Sequence, residues 1–246
     1  MSAKLFFDLE TIPDMREGAR EKYLADGAKN FKAPSTLTKE KAAADLGLTD
    51  KDEIKFTSKD AMITKWEERF AVEKAAEFAD LEWRKQSFDG GYGAICVIGY
   101  AFDDEPVETI ICENETTGLI IFSEAVRQYQ ASENNSLIEY IGHNVTGFDL
   151  PFLWKRLVVN RIPHSNIPKD VRHGTGRVFD TSTAWAGWKD RISLDNLAGI
   201  LGLPSSKDEM NGSMVCDYWM AGRKEEIAKY CAKDVELTRA IYKLIA

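Results

Sequence analysis

The chain has 246 residues, 44% of them hydrophobic and 11% aromatic, enough apolar material for one large domain or for a core domain carrying a sizeable insertion. That composition excludes a disordered tail and a disulfide-stapled miniprotein, and the longest apolar run, residues 94–102, is well short of the roughly 18 residues a membrane helix needs. A formal net charge of −8 argues against attachment to nucleic acid through bulk electrostatics.

The charge is unevenly spread. Residues 102–150 carry one positive and ten negative charges (net −9), whereas residues 151–193 carry eight positive and three negative (net +5). At the N-terminus, MSAKLFFDLE brings in a carboxylate at Asp8 where a secretion signal would continue its apolar stretch. Cys96, Cys112, Cys216 and Cys231 are scattered and form no C-x-x-C pair. Reduced thiols in a cytoplasmic protein, without a membrane segment, are the expectation.

In chain order, residues 4–9 (KLFFDL) read as a buried strand ended by Thr11, Ile12 and Pro13. From about 14 to 88 the composition shifts to Lys, Glu, Ala and Asp, broken by Gly27, Pro34 and Gly47. Ser58 reads as the N-cap of a helix bearing Met62, Trp66 and Phe70, so this stretch is expected to be a helical insertion. A glycine-rich turn then opens a strand over 94–102, and another strand is expected over 107–112, giving an antiparallel meander. Beyond it the pattern alternates. Helices are expected over 117–130, 150–160, 194–201 and 225–244, with short strands over 137–141 and 177–179. A mixed α/β sheet flanked by helices follows.

Three places put carboxylates where apolar residues belong. The side-chain period of two sets Phe6, Asp8 and Glu10 on one face of the first strand, the two acids about 7 Å apart. Burying both without a cation is unfavourable, because each loses hydration and they repel. The plain alternative is a pair of exposed acids at a strand end, and D-x-E recurs at Asp80/Glu82, Asp103/Glu105 and Asp234/Glu236. In the last helix, Asp234 interrupts the apolar stripe of Ile227, Tyr230, Leu237 and Ile241, one turn from Tyr230; a buried Tyr–Asp hydrogen bond is the plain alternative. Third, GHNVTGFDLP joins a strand to a helix at residues 142–151, where Asp149 would serve as an ordinary N-cap and Asn144 as an ordinary turn residue.

Taken in order, FFDLET, HNVTGFDLP and YCAKD resemble the three motifs of the DEDD superfamily of 3′-to-5′ exonucleases, most closely the exonuclease domain of family B DNA polymerases. Tyr230, four residues before Asp234, resembles the tyrosine subclass, and VFDTSTAW with ISLDNLAGILGL also resembles that family. The resemblance spans the chain outside the insertion. At this length the nearest likeness is to stand-alone predicted exonucleases related to that polymerase domain. It implies a single domain with a ribonuclease H-like fold, a helical insertion at about 14–88, and Asp8, Glu10, Asp149 and Asp234 as ligands of two Mg²⁺ or Mn²⁺ ions. Tyr230 is implied to orient the attacking water, and Thr11, Asn144 and Phe148 to contact the terminal nucleotide. The implied substrate is the 3′ end of single-stranded or frayed DNA. An exoribonuclease, or a silent nucleic-acid-binding module of the same fold, is the alternative; an acidic adaptor working through the insertion is a third.

The surplus of positive charge in residues 151–193 follows the second motif directly. It comprises Lys155, Arg156, Arg161, Lys169, Arg172, Arg177, Lys189 and Arg191, interleaved with Trp185 and Trp188. Basic groups that follow phosphates and rings that accept bases would hold a single strand. Both tryptophans in the core is the other reading.

Overall fold

In the computed structural model, residues 3–133, 137–163, 167–168, 173–174, 176–205 and 210–246 are described. Strand β1 (Ala3–Ile12) runs through the middle of a five-stranded sheet. It pairs antiparallel with β2 (Ala94–Phe102), which pairs antiparallel with β3 (Glu108–Ile111). On its other side β1 pairs parallel with β4 (Ile138–Gly142), which pairs parallel with β5 (Val178–Asp180), so the order is β3-β2-β1-β4-β5. The mixed sheet is therefore a meander extended by parallel strands, as the sequence pattern predicts. Strand β1 is longer than expected and continues past a register shift between Glu10 and Thr11.

The period of two divides the packing between the two sheet faces. Leu5, Phe7 and Leu9 join a core with Leu119 and Phe122 of α5 (Glu115–Ser132) and Leu153 and Leu157 of α6 (Asp149–Val159). Phe6 on the opposite face packs with Val235 of α10 (Lys224–Ile245), the long amphipathic helix whose Ile227 and Cys231 meet Cys96 and Val97. Gly99 sets how closely α10 approaches. A β-carbon there would lie 2.8 Å from Cys231 Sγ and 3.1 Å from Val235 Cγ2, so the bare backbone lets the helix lie flat against β1 and β2. Three shorter helices complete this unit: α7 (Thr181–Ala186), α8 (Leu194–Ile200) and α9 (Val215–Met220). Two of them, α7 and α9, have no counterpart in the sequence expectations.

Met1–Pro13 and Gln86–Ala246 make up this first compact unit, and Asp14–Lys85 the second. The second is helical throughout: α1 (Ala19–Asn30), α2 (Lys39–Asp45), α3 (Lys51–Phe56) and α4 (Lys59–Arg84). Ser58 caps α4 by accepting from the Ala61 N–H at 3.2 Å. Met62 and Trp66, one turn apart, bury against Leu37, Ala42 and Ala43, and the Trp66 indole donates to Asp45. No described helix is long and apolar enough to cross a membrane. All four cysteines are buried and none is in a disulfide.

Candidate active site

The four carboxylates of interest are delivered by three elements. Strand β1 presents Asp8 and Glu10 from the face that also carries Phe6, and α10 covers that face. At the closed end of the parallel pair, the chain leaves β4 through residues 143–148 and starts α6 at Asp149. Asp149 is the first helical residue and Phe148 occupies the cap position. The N-cap alternative for Asp149 is thus not what the fold uses. Its Oδ1 instead accepts the Leu9 N–H of β1 at 3.1 Å, which fixes the start of α6 beside Asp8 and Glu10.

Glu10, Asp149 and Asp234 are buried, and Asp8 keeps part of its surface open. Lost hydration, followed by the charge of Asp234, pushes the Asp8 carboxyl up to about 7. Glu10 is held well above the usual carboxylate range by burial, then by Asp8, Asp234 and Asp149 in turn. Asp149 is raised by burial and by Asp8, with N–H donors from its own backbone and from Leu9 pulling the other way. Four acids therefore feel one another, and none of Asp8, Glu10 and Asp149 has a Lys or Arg ion-pair partner among the described residues.

That arrangement is unfavourable alone and is relieved by a cation. Donor atoms of Asp8, Glu10 and Cys231 all lie within 4.8 Å of one another, so the set fits a divalent ion. Hard carboxylate oxygens suit Mg²⁺ or Mn²⁺. Cys231 was not anticipated as a neighbour. Its thiol donates to Asp8 Oδ2 at 3.4 Å, and burial with the acids around it holds it protonated, well above the ordinary thiol range. Tyr230 is half-buried one turn from Asp234. Burial and the charges of Asp234, Glu10 and Asp8 push its phenol further up, so it stays an O–H donor.

The residues expected at the terminal nucleotide are also near these acids in the chain path. Thr11 follows the register shift, and its hydroxyl donates to the Ser87 carbonyl at 2.7 Å. Asn144 adopts a left-handed φ of 57°, and its carbonyls and side chain fold over Gly147, where a β-carbon would lie 2.6 Å from Asn144 Oδ1. It is a turn residue as well as a candidate contact. Phe148 is half-buried, its ring 5.4 Å from Phe152 and 6.4 Å from Phe88.

Two further residues hold this loop. Asp180, fully buried at the end of β5, accepts from Asn144 N–H (2.9 Å), Thr146 N–H (3.0 Å) and Thr146 Oγ1 (2.6 Å), while also capping α7 through Ser182 and Thr183. His143 donates from Nε2 to the Ile192 carbonyl at 2.8 Å and lies 2.9 Å from Thr181 Oγ1, with burial lowering its pKa. An Asp before Thr-Ser-Thr signals a helix cap; its second task, 36 residues back, leaves no local trace. Asp180→Asn should turn an amide N–H₂ toward the donors of Thr146 and destabilise the chain by about 1–3 kcal/mol. Amide exchange at Thr146 should accelerate with it, and unchanged protection there would assign the loop's hold to other contacts.

The basic segment divides. Arg156 is buried in an ion pair with Glu115 at 2.6 Å and donates to the Gly90 carbonyl, so it ties α6 to α5 and is no phosphate contact. Lys155 pairs with Asp89. Lys169 and Arg172 lie outside the described residues. Trp185 and Trp188 are 44% and 77% exposed, which sets aside the core reading.

Buried acids at the edge where a mixed sheet meets its covering helix, together with the order β3-β2-β1-β4-β5, define the ribonuclease H-like α/β class found in the exonuclease domain of family B polymerases. A family B DNA polymerase from the hyperthermophilic archaeon Pyrobaculum calidifontis is similar in fold, with a TM-score of 0.56 at 15% sequence identity over 99% of this chain and 24% of the polymerase. The chain thus spans about a quarter of that polymerase's length. No curated protein matches it. Residues 122–245 match the model of a family described as predicted 3′-5′ exonucleases related to the exonuclease domain of PolB, and the chain belongs to that family.

Proposed function

We propose that this chain is a metal-dependent 3′-to-5′ exonuclease that removes nucleotides from the 3′ end of single-stranded or frayed DNA. The observation that carries the reading is the buried convergence of Asp8, Glu10 and Asp149, whose carboxyls are held up by burial and by one another's charge, with Asp234 contributing; no Lys or Arg among the described residues forms an ion pair with the first three. Asp8, Glu10, Asp149 and Asp234 would hold Mg²⁺ or Mn²⁺. Two such ions, when bound, would supply an acidified water and charge neutralisation at the leaving oxygen.

The chain's own residues do the rest. Tyr230 keeps its proton and so acts as a donor that orients the attacking water, not as the base that deprotonates it. The Thr11 hydroxyl spends its proton on Ser87, which leaves its lone pairs to accept from the terminal sugar. Asn144, held by Asp180, and the ring of Phe148 seat the terminal nucleotide. The Leu9–Asp149 hydrogen bond keeps two of the acid-bearing elements from drifting apart.

The test is digestion of 5′-labelled single-stranded DNA, with RNA of matched sequence in parallel, in Mg²⁺, Mn²⁺ and EDTA. A ladder of shortened labelled products that requires a divalent ion is expected. Shortening in EDTA, or none with either ion on either strand, would overturn the reading, and faster loss of RNA would reassign the substrate.

Tyr230→Phe removes the donor without removing a charge. Turnover should fall roughly 10²-fold while calorimetric Mn²⁺ binding stays close to that of the unaltered chain. Loss of metal binding in this variant would move Tyr230 to a structural role.

A further inference from the structure

We propose that the exposed segment running from the last turn of α7 to the start of α8, carrying Trp185, Trp188, Lys189 and Arg191, grips the single-stranded segment behind the terminal nucleotide. The proposal rests on the exonuclease reading and adds to it a location for the rest of the strand.

Exposure comes first. Two tryptophans six-tenths exposed on average, three residues apart, leave large apolar rings in water without packing them into any core. Next to them, Lys189 and Arg191 are exposed and form no ion pair among the described residues. Asp190 between them leaves this stretch with a net charge of +1, against a chain of −8. Flat rings with unpaired cations suit a ligand that offers bases and phosphates together, and do not suit an acidic protein face, which needs no rings, or an apolar one, which needs no cations.

Position is the second argument. The start of α7 and the far end of the loop are both tied to residues 143–146. Asp180 caps α7 and holds Asn144 and Thr146 with the same carboxylate, and His143 bridges Thr181, at the start of α7, to Ile192, just past Arg191. Gly187, with φ of 80°, ends α7 and turns the chain. The other described cations of the basic segment are elsewhere or engaged. Lys155 and Arg156 are paired, Arg161 follows the far end of α6 from Asp149, and Arg177 precedes β5, at the opposite end of that strand from Asp180. Among the described cations of residues 151–193, Lys189 and Arg191 are those that are exposed, carry no ion pair and lie on the connection tied to His143 and Asp180.

The experiment uses the full chain in Ca²⁺, which slows turnover, with fluorescein-labelled oligothymidylates of two and twelve nucleotides followed by anisotropy. The unaltered chain should bind the twelve-mer much more tightly than the dinucleotide. Trp188→Ala and the pair Lys189→Ala with Arg191→Ala should each remove about tenfold of that gain, and the charge pair should flatten the salt dependence of log Kd by about one unit per lost phosphate contact. Thermal melting checks the fold, and these exposed positions should leave it unchanged. An undiminished length gain together with an unchanged salt slope in both variants would overturn the proposal, as would an unaltered chain with no length gain. Because binding is read without cleavage, a chain that binds through this loop yet never shortens DNA would leave the proposal standing and defeat the exonuclease reading alone.

Discussion

Asp234→Ala, and separately Asp8→Ala, should slow strand shortening by roughly 10³-fold or more, because each removes an oxygen donor from a set in which the remaining acids then repel with less to offset them. Removing a charge from the set should have the opposite effect on the metal-free chain. Asp8 and Asp234 raise each other's electrostatic cost in a site of low hydration, so Asp234→Asn, which keeps shape and removes charge, should stabilise the protein in EDTA. A gain of about 1 kcal/mol corresponds to a rise of roughly 2–4 °C in Tm for a chain of this size. Adding Mn²⁺ should raise the Tm of the unaltered chain and barely move that of Asp234→Asn. The two readouts separate a metal site from a structural acid cluster. Near-normal activity in either alanine variant, or a lower Tm in EDTA for Asp234→Asn, would remove the carboxylates from the chemistry.

Gly99→Ala tests how the site is assembled without replacing any of its carboxylates or the Tyr230 phenol. The added methyl would meet Cys231 Sγ at 2.8 Å and Val235 Cγ2 at 3.1 Å, closer than carbon and sulfur pack, and the backbone of α10 must then give way. Overpacking of this kind costs about 1–3 kcal/mol. The functional loss should be larger in proportion, roughly 10²-fold in turnover, since displacement of α10 carries Tyr230 and Asp234 away from Asp8 together. Combining it with Cys231→Ala opens space where the clash is worst and should recover most of both losses. Unchanged melting and turnover in Gly99→Ala would mean that α10 has slack against the sheet.

Much of the fold is written in periodicity. The two faces of β1 follow from its alternation, and the buried stripe of α10 from its 3.6-residue repeat, because both elements are long enough to show a period. The six-residue helices α7 and α9 are too short to show one. Around the acids, sequence spacing gives which residues share a face, but not partners brought by the fold. Asp180 reads as a local cap and Cys231 as core, and only the docking of β5 against β4 and of α10 against β1 gives them their other contacts. Arg156 shows the same limit from the other side: it counts toward a basic segment in the sequence, and Glu115, 41 residues earlier, takes it out of circulation. Trp185 and Trp188 are ambiguous in the sequence because a large indole can bury much of its area and still reach the surface, and neither a six-residue helix nor a loop offers a period to decide.

The acid set draws on the two extremes of the folding unit. Cys231 and Asp8 touch across a separation of 223 residues, and Asp234 belongs to the same helix as Cys231. A chain still being synthesised therefore has β1 in place long before α10 exists to cover it, and it holds no assembled acid set until that helix has emerged and docked. The same geometry operates in the finished protein. Lifting α10 alone, an opening far smaller than global unfolding, carries away Tyr230 and one of the four acids in a single motion while α5 and α6 keep the opposite sheet face covered. Under the proposed exonuclease reading, competence for cleavage would be set by the docking equilibrium of one helix, and hydrogen exchange along α10 would report that equilibrium directly.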